Sequence, residues 1–239
     1  MLTVDENNIL IRRSRERGST QLGWLGSKHS FSFGSYCDPN FVGYRSLRVI
    51  NEDIVDPGKG FESHPHRSME ILSYVISGEL EHKDSLGNGR VIQAGEFQYM
   101  SAGSGVIHSE YNPSNANSVH FIQIWIEPRN QGGVPRYEER DTNHYASSNS
   151  LSLLASPDGR EGSVAMRQDT LVYLGKLAVD DQLSVSSSAS NSYSWLQMIK
   201  GKLKINCHEL QPGDGASIEK QNMTLQALSA CEFLLFRLS

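Results

Sequence analysis

The chain has 239 residues, of which 38% are hydrophobic and 21% charged, with 21 glycines and 8 prolines. That balance belongs to a folded chain rich in turns and excludes collagen-like and disordered classes. With a net charge of −5 and no basic cluster larger than the segment Ile11 to Arg17, it offers a nucleic-acid backbone mostly repulsion, and direct nucleic-acid binding is not expected.

The first ten residues, MLTVDENNIL, carry acids where a secretory signal has a basic region and lack an apolar stretch, so a cytoplasmic location is expected. Cys37, Cys207 and Cys231 are odd in number and form no CxxC pair, which suggests neither a disulfide framework nor a thiolate zinc site. Nearly every patterned segment shows the two-residue alternation or the short apolar runs of strands: Met69 to Ile76, Val91 to Met100, Val119 to Ile126, Leu171 to Val179, Trp195 to Ile205 and Phe233 to Leu238. The apolar stretches fall far short of the roughly 20 residues that a membrane-spanning helix needs, and no membrane segment is expected. Turns such as Gly87-Asn88-Gly89 and Pro212 to Gly215 separate the strands, and the pattern predicts an all-β sandwich or barrel.

The polar segment Pro128 to Ser150, rich in Gly, Pro, Asn and Ser, reads as a linker. The expected layout is an N-terminal domain over 1–130, a linker over 131–150 and a C-terminal domain over 151–239. An internal repeat points to two copies of one β-barrel: Val75 to Leu80 with Ile92 to Glu96 echoes Met198 to Leu203 with Leu210 to Asp214. Each copy is long enough to bury a core, and strands apolar on both faces would let the copies pack on one another.

His64 and His66 share a face, because residues i and i+2 of a strand point the same way, and His108 with Glu110 repeats the pattern. Two such pairs on facing strands would converge four ligands on one cation. Imidazole nitrogen and carboxylate oxygen suit Fe, Ni, Cu, Co, Mn or Zn, and the remaining octahedral positions would admit substrate or water. Glu70 has the same parity as His64 and His66, so the residues alone leave the carboxylate open between Glu70 and Glu110. The remaining histidines, His29, His82, His120, His144 and His208, read as solvated or hydrogen-bonded side chains. Phe31, Phe33, Tyr36 and Tyr99 are either core or the wall of a pocket for a flat ligand. Superimposing Gly78 on Gly201 sets Ser187 and Ala189 where the first copy has His64 and His66. Superimposing Gly95 on Gly213 sets Gln226 and Leu228 at His108 and Glu110. None of these is a good transition-metal ligand, so one metal per chain is expected, in the N-terminal half.

Gly58, five residues, His64-x-His66, three residues, Glu70, seven residues and Gly78 resembles the first cupin motif. Gly95, five residues, Ser101-x-Gly103 and then His108-x-x-x-Asn112 resembles the second, with a serine for the usual proline and a longer gap before the histidine. Both departures, with His108-Ser-Glu110, resemble the pirin family, as do Ser30 to Phe33, Tyr36, Asp38-Pro39 and Gly43 to Asp53. The likeness continues at Ser156 to Asp158 and Gln168-Asp169, and so spans essentially the whole chain. It implies a bicupin: two packed antiparallel jelly-roll barrels, the second degenerate and without a metal. It also implies the ligand set His64, His66, His108 and Glu110, with Glu70 orienting an imidazole or simply buried and paired. One divalent cation per chain is implied, Fe first, with Zn, Ni, Co, Mn and Cu as alternatives.

Resemblance to pirins of the bacterial quercetin 2,3-dioxygenase type further implies O₂-dependent cleavage of the flavonol quercetin, with loss of carbon monoxide and formation of a phenolic ester. Glu110 would be the catalytic base for the flavonol 3-hydroxyl. The implied alternative is a non-enzymatic metal or redox sensor acting through a regulatory protein partner. A cupin isomerase or lyase would need phosphate-gripping basic residues, and only Arg67 stands beside the histidines. A small phenolic substrate, O₂ and a monomeric chain complete the expectation.

Overall fold

The structure, a computed structural model, describes residues 8–142, 150–188 and 192–239. Among them are strands and short 3-10 turns but no α-helix, and no helix long and apolar enough to cross a membrane. The chain divides into two compact units, one of Gly18–His144 and the other of Tyr145–Ser239 together with Met1–Arg17.

The first strand, β1 (Ile9–Arg12), falls in the second of these units. The Gly18–His144 unit then runs through β2 (Gly18–Gln21), β3 (Leu25–His29), β4 (Leu47–Val55), β5 (Gly60–His66), β6 (Glu70–Ser77), β7 (Glu79–Asp84), β8 (Gly89–Gln93), β9 (Glu96–Ser101), β10 (Val106–Tyr111), β11 (Val119–Ile126) and β12 (Arg136–Asp141). Its strands form a seven-stranded sheet in the order β12-β9-β6-β11-β4-β3-β2 and a four-stranded sheet in the order β5-β10-β7-β8. The result is a jelly roll of two sheets, and the sheets do not close into a barrel.

The other unit continues with β13 (Ser150–Ser156), β14 (Val164–Ala165), β15 (Thr170–Leu177), β16 (Gln182–Val185), β17 (Tyr193–Lys200), β18 (Leu203–Ile205), β19 (His208–Leu210), β20 (Gly215–Glu219), β21 (Met223–Ala227) and β22 (Cys231–Leu238). Its sheets run β1-β20-β17-β22-β15-β13-β14 and β16-β21-β18-β19, the same plan strand for strand in the small sheet. The matched glycines mark equivalent corners. Gly78 and Gly201 have φ of 78° and 76°, Gly95 and Gly213 of 84° and 81°, and a Cβ at Gly78 or Gly201 would run into the carbonyl of Ser118 or Ala230.

Two boundaries differ from the sequence expectation. The segment read as a linker over 131–150 contains β12, which pairs with β9 at the edge of the large sheet; residues 143–149 lie outside the described ones. Its residues, RYEERD, are charged because an edge strand needs no apolar run, and charges protect its open side. The N-terminal domain does not start at residue 1 either, since β1 pairs with β20 in the other unit, with Ile9 opposite Ile218. Thus one large sheet takes an edge strand from the segment read as a linker, and the other takes one from the start of the N-terminal half.

Inside the Gly18–His144 unit apolar clusters lie on either side of a polar row of the large sheet. Leu25, Val55, Val75, Val119 and Phe121 belong to one cluster, and Ile71, Met100 and Val106 to the other, with Trp125 packed against it. Between them, His29, Asn51, Gln123, Ser73 and Gln98 stand directly opposite one another across β3, β4, β11, β6 and β9.

Gly60 on β5 lies where a Cβ would strike the backbone of Glu110 and Tyr111 on β10. Gly60→Ala must push the two strands of the small sheet apart, so we expect a loss of about 1–3 kcal/mol in denaturant unfolding. Because β5 also carries His64 and His66, metal uptake measured by chelator competition should weaken in the same variant.

Candidate metal centre

β5 and β10 lie side by side in the small sheet, with His64 directly opposite His108. His64, His66 and His108 converge. Their ring centroids are 4.5–4.8 Å apart, and the Nε2 atoms of His64 and His108 approach to 3.1 Å. The ring of His66 also meets Trp125 edge-on at 4.9 Å. Burial pushes the His66 imidazole down to about 4 and His108 to about 3, with the neighbouring histidines adding to the shift. Both rings are therefore neutral near pH 7 and carry lone pairs, the state that binds a transition metal.

The far nitrogens are held. His64 Nδ1 lies 2.7 Å from the Glu62 carbonyl, which can only accept, so its Nε2 is left as the donor to a metal. His108 Nδ1 lies 3.4 Å from His82 Nδ1. His82 Nε2 is 3.2 Å from Asp84 Oδ2, and Asp84 is itself fixed by Asn88 Nδ2 at 2.8 Å and by the Leu86 amide at 2.9 Å. Burial raises the Asp84 carboxyl, but the hydrogen bonds from Asn88, His82 and Leu86 outweigh it and hold it below the usual carboxylate range. Gln98 Nε2 approaches His82 Nδ1 at 3.2 Å, and Tyr137 of β12 stacks on the His82 ring at 4.7 Å. An aspartate, a histidine and a candidate ligand thus form a buried line. This is the arrangement that sets the tautomer and angle of a metal-bound imidazole.

Glu110 is buried, at 1% exposure. Ser73 Oγ donates to its Oε1 at 3.3 Å and Gln123 Nε2 to its Oε2 at 2.6 Å. A ligand oxygen of Glu110, with one nitrogen each of His82 and His108, forms a second group within 4.8 Å, alongside the His64, His66, His108 group. A β-bulge between His108 and Glu110 shifts the pairing with β5 there. Glu70 has other company: Tyr99 donates to its Oε2 through a short hydrogen bond and Ser101 Oγ to its Oε1 at 2.7 Å. The serine that stands for the usual cupin proline therefore tethers this carboxylate. The parity argument for Glu70 does not survive the turn between β5 and β6, where Ser68 takes a φ of 49°. Donors of this type and burial fit a divalent transition metal.

His64, His66 and Glu110 line a cavity of ≈ 350 Å³ within this unit, walled by Leu25, Phe33, Phe61 and Trp125 and, from the large sheet, by His29, Asn51 and Asp53. Of the four aromatics weighed as pocket wall, Phe33 lines it, Tyr36 stacks over His29 at 6.3 Å, and Phe31 and Tyr99 are buried core. His120 pairs with Glu52 at 2.9 Å, and His208 lies on β19. His144 and Ala189 are outside the described residues. His82 and His29, read from sequence as bland, are buried at the site. The available signal was His82-x-Asp84, a His and a carboxylate two apart, as in His108-x-Glu110.

In the other unit, β21 pairs with β18 so that Leu225 faces Ile205, as Glu110 faces His82. Leu225 thus corresponds to Glu110 and Met223 to His108, three residues before the ungapped match to Leu228 and Gln226. Met223 in turn faces Val185, the counterpart of His64. Val185, Ile205, Met223 and Leu225 are all buried in one apolar cluster.

The chain matches the family model described as Pirin over residues 11–126 and that described as Quercetinase C-terminal cupin domain over 153–238. It is 46% identical over 231 residues to a protein named quercetin 2,3-dioxygenase of Escherichia coli strain K12, covering 96% of this chain and 98% of that one. The crystal structure of YhhW from Escherichia coli superimposes with a TM-score of 0.93 at 45% identity, covering 97% of each chain. The structure of bacterial pirin YhhW in complex with nickel(II) does so with a TM-score of 0.92, also at 45% identity, covering 96% of this chain and 98% of that one.

His64→Ala and His108→Ala should each abolish tight metal uptake, read by elemental analysis after gel filtration, while circular dichroism stays that of a folded β protein. The apolar clusters do not depend on the ion as a zinc finger's do. His82→Asn leaves the three converging imidazoles in place, and its metal affinity should fall by about 10–100-fold, measured by chelator competition.

Proposed function

The chain belongs to the pirin family, and we propose that it is a metal-dependent dioxygenase that opens flavonols of the quercetin type with O₂, releasing carbon monoxide and leaving a phenolic ester. The observation that carries this reading is the cavity at the histidine cluster. Its walls combine the aromatic and apolar side chains of Phe33, Phe61, Trp125 and Leu25 with polar groups, and no Lys or Arg is among the described residues that line it. Apart from a metal at the histidines, a phosphorylated or carboxylated substrate would find no cationic side chain there, whereas a flat phenol fits a pocket of this size and polarity. Arg67, the one cation beside the histidines in sequence, is exposed and donates from Nε to the Ser104 carbonyl at 3.0 Å, which weighs against a phosphate-gripping isomerase. The name quercetin 2,3-dioxygenase carried by the Escherichia coli relative supports the same substrate class.

A divalent metal held by His64, His66, His108 and Glu110, with Fe first among the candidates, would supply Lewis acidity to the flavonol 3-oxygen and redox access for O₂. The chain's own groups do the rest. Glu110 accepts the 3-hydroxyl proton, and Ser73 and Gln123 hold the carboxylate in place for that transfer. Phe33, Phe61 and Trp125 flank the flat rings and keep water from the electron-rich anion. Flavonol and O₂ together account for every atom of the ester and the carbon monoxide.

The test is O₂ uptake with quercetin by protein loaded in turn with Fe, Ni, Co, Mn and Cu. Uptake with at least one metal is expected, and none with any metal overturns the reading in favour of a metal-dependent regulator. Glu110→Gln keeps an oxygen of nearly the same shape but cannot take the proton. Its turnover per bound metal should fall by about 10²-fold or more, while Glu70→Gln should be milder. The opposite ranking would transfer the role to Glu70.

A further inference from the structure

Asp53 is a carboxylate that the proposed chemistry does not use. It lies on the inward face of β4, between Ser27 of β3 and Phe121 of β11 at the same register. It lines the cavity wall contributed by the large sheet, at only 3% exposure. Its Oδ1 accepts no hydrogen bond from the described residues. The adjoining positions across the sheet, Phe121 and Val75, belong to an apolar cluster, so packing gives no reason for an acid here. A buried acceptor left without a donor calls for a partner, an ordered water or a ligand. Burial pushes this carboxyl up to about 7, opposed by a hydrogen bond from Ser27 and reinforced by Glu110 and Glu52.

The neighbouring polar groups are already engaged. Thr20 Oγ1 meets His29 Nε2 at 2.8 Å, and His29 Nδ1 meets Asn51 Oδ1 at 2.8 Å. The large sheet faces the small sheet that carries the histidines, and packed sheets stand about 10 Å apart. A planar molecule held at the histidines can therefore reach the opposite wall.

We propose that Asp53 is a specificity-determining residue: it accepts a hydrogen bond from a phenolic hydroxyl of the ligand remote from the end held at the histidines. The cavity then selects polyhydroxylated planar phenols over the same skeleton without that hydroxyl. This rests on the flavonol reading above, but its readout is binding, which is separable from turnover.

The experiment uses the nickel-loaded full chain under anaerobic conditions, with quenching of tryptophan fluorescence as the signal. The probes are quercetin, kaempferol, galangin and 3-hydroxyflavone, which lose their hydroxyls stepwise. Wild type should bind quercetin at least about tenfold more tightly than 3-hydroxyflavone, since a site built for a hydroxyl penalises its absence. Asp53→Leu should bring that ratio to within about threefold, and Asp53→Asn, which keeps one acceptor, should lie between. If Asp53→Leu fails to fold, the wild-type series and Asp53→Asn decide alone. A wild-type ratio below about threefold, or a ratio that survives both substitutions, overturns the proposal. Hydroxyl-dependent binding without O₂ uptake leaves the Asp53 site standing while the dioxygenase reading falls. Turnover with hydroxyl-blind binding does the reverse.

Discussion

A polar atom inside a β-sandwich must be hydrogen-bonded, at a cost of about 1–3 kcal/mol for each one left bare. In the Gly18–His144 unit that constraint is met largely across the interior. The large sheet offers Ser73 and Gln123 to Glu110 and Gln98 to His82, and the small sheet offers the acceptors. Neither set is tolerable without the other. Removing Ser73, Gln123 and Gln98 would leave Glu110 and His82 without these donors, and removing Glu110 and His82 would leave the three donors without these acceptors. The geometry of the candidate metal centre is thus tied to strand register, because a one-residue slip of β6 or β11 would turn Ser73 or Gln123 to the opposite face.

Those residues were visible in the sequence only as blemishes. Ser73 interrupts Ile71 to Ile76, and Gln123 interrupts Val119 to Ile126, yet nothing local says that they stand opposite one another, because strand pairing is non-local. The His-x-His and His-x-Glu patterns were legible for the opposite reason: a two-residue period is local and fixes a shared face without knowledge of partners. Glu70 marks the limit of that reasoning, since parity counts only along an unbroken strand and Ser68 breaks it. His82 was missed because its meaning comes from Asp84 behind it and His108 in front, on a neighbouring strand. The strand plan of the two jelly rolls was largely legible through the glycine corners. The edge strands were not, because charge-rich β12 lacks any apolar period and β1 lies about 200 residues from its partner.

Comparison of the two jelly rolls separates what the fold requires from what the site requires. At positions of equal register one small sheet has Glu110, His108 and His64 and the other has Leu225, Met223 and Val185. The apolar version packs its interior with a single cluster. The polar version keeps a cavity, and its apolar side chains divide into separate clusters on either side of it. A cavity with buried ionisable groups is a stability cost that function can justify and folding alone cannot.

The pairing of β1 with β20 bears on how the chain is made. β20 follows β1 by about 200 residues in the chain, so β1 stays without its partner until β20 has been synthesised. Closing so long a loop is entropically slow, and contacts of such high sequence separation form late. An N-terminal truncation past Arg12 would leave the β20 edge open for strand addition by another molecule, and oligomers joined at that edge would be its signature.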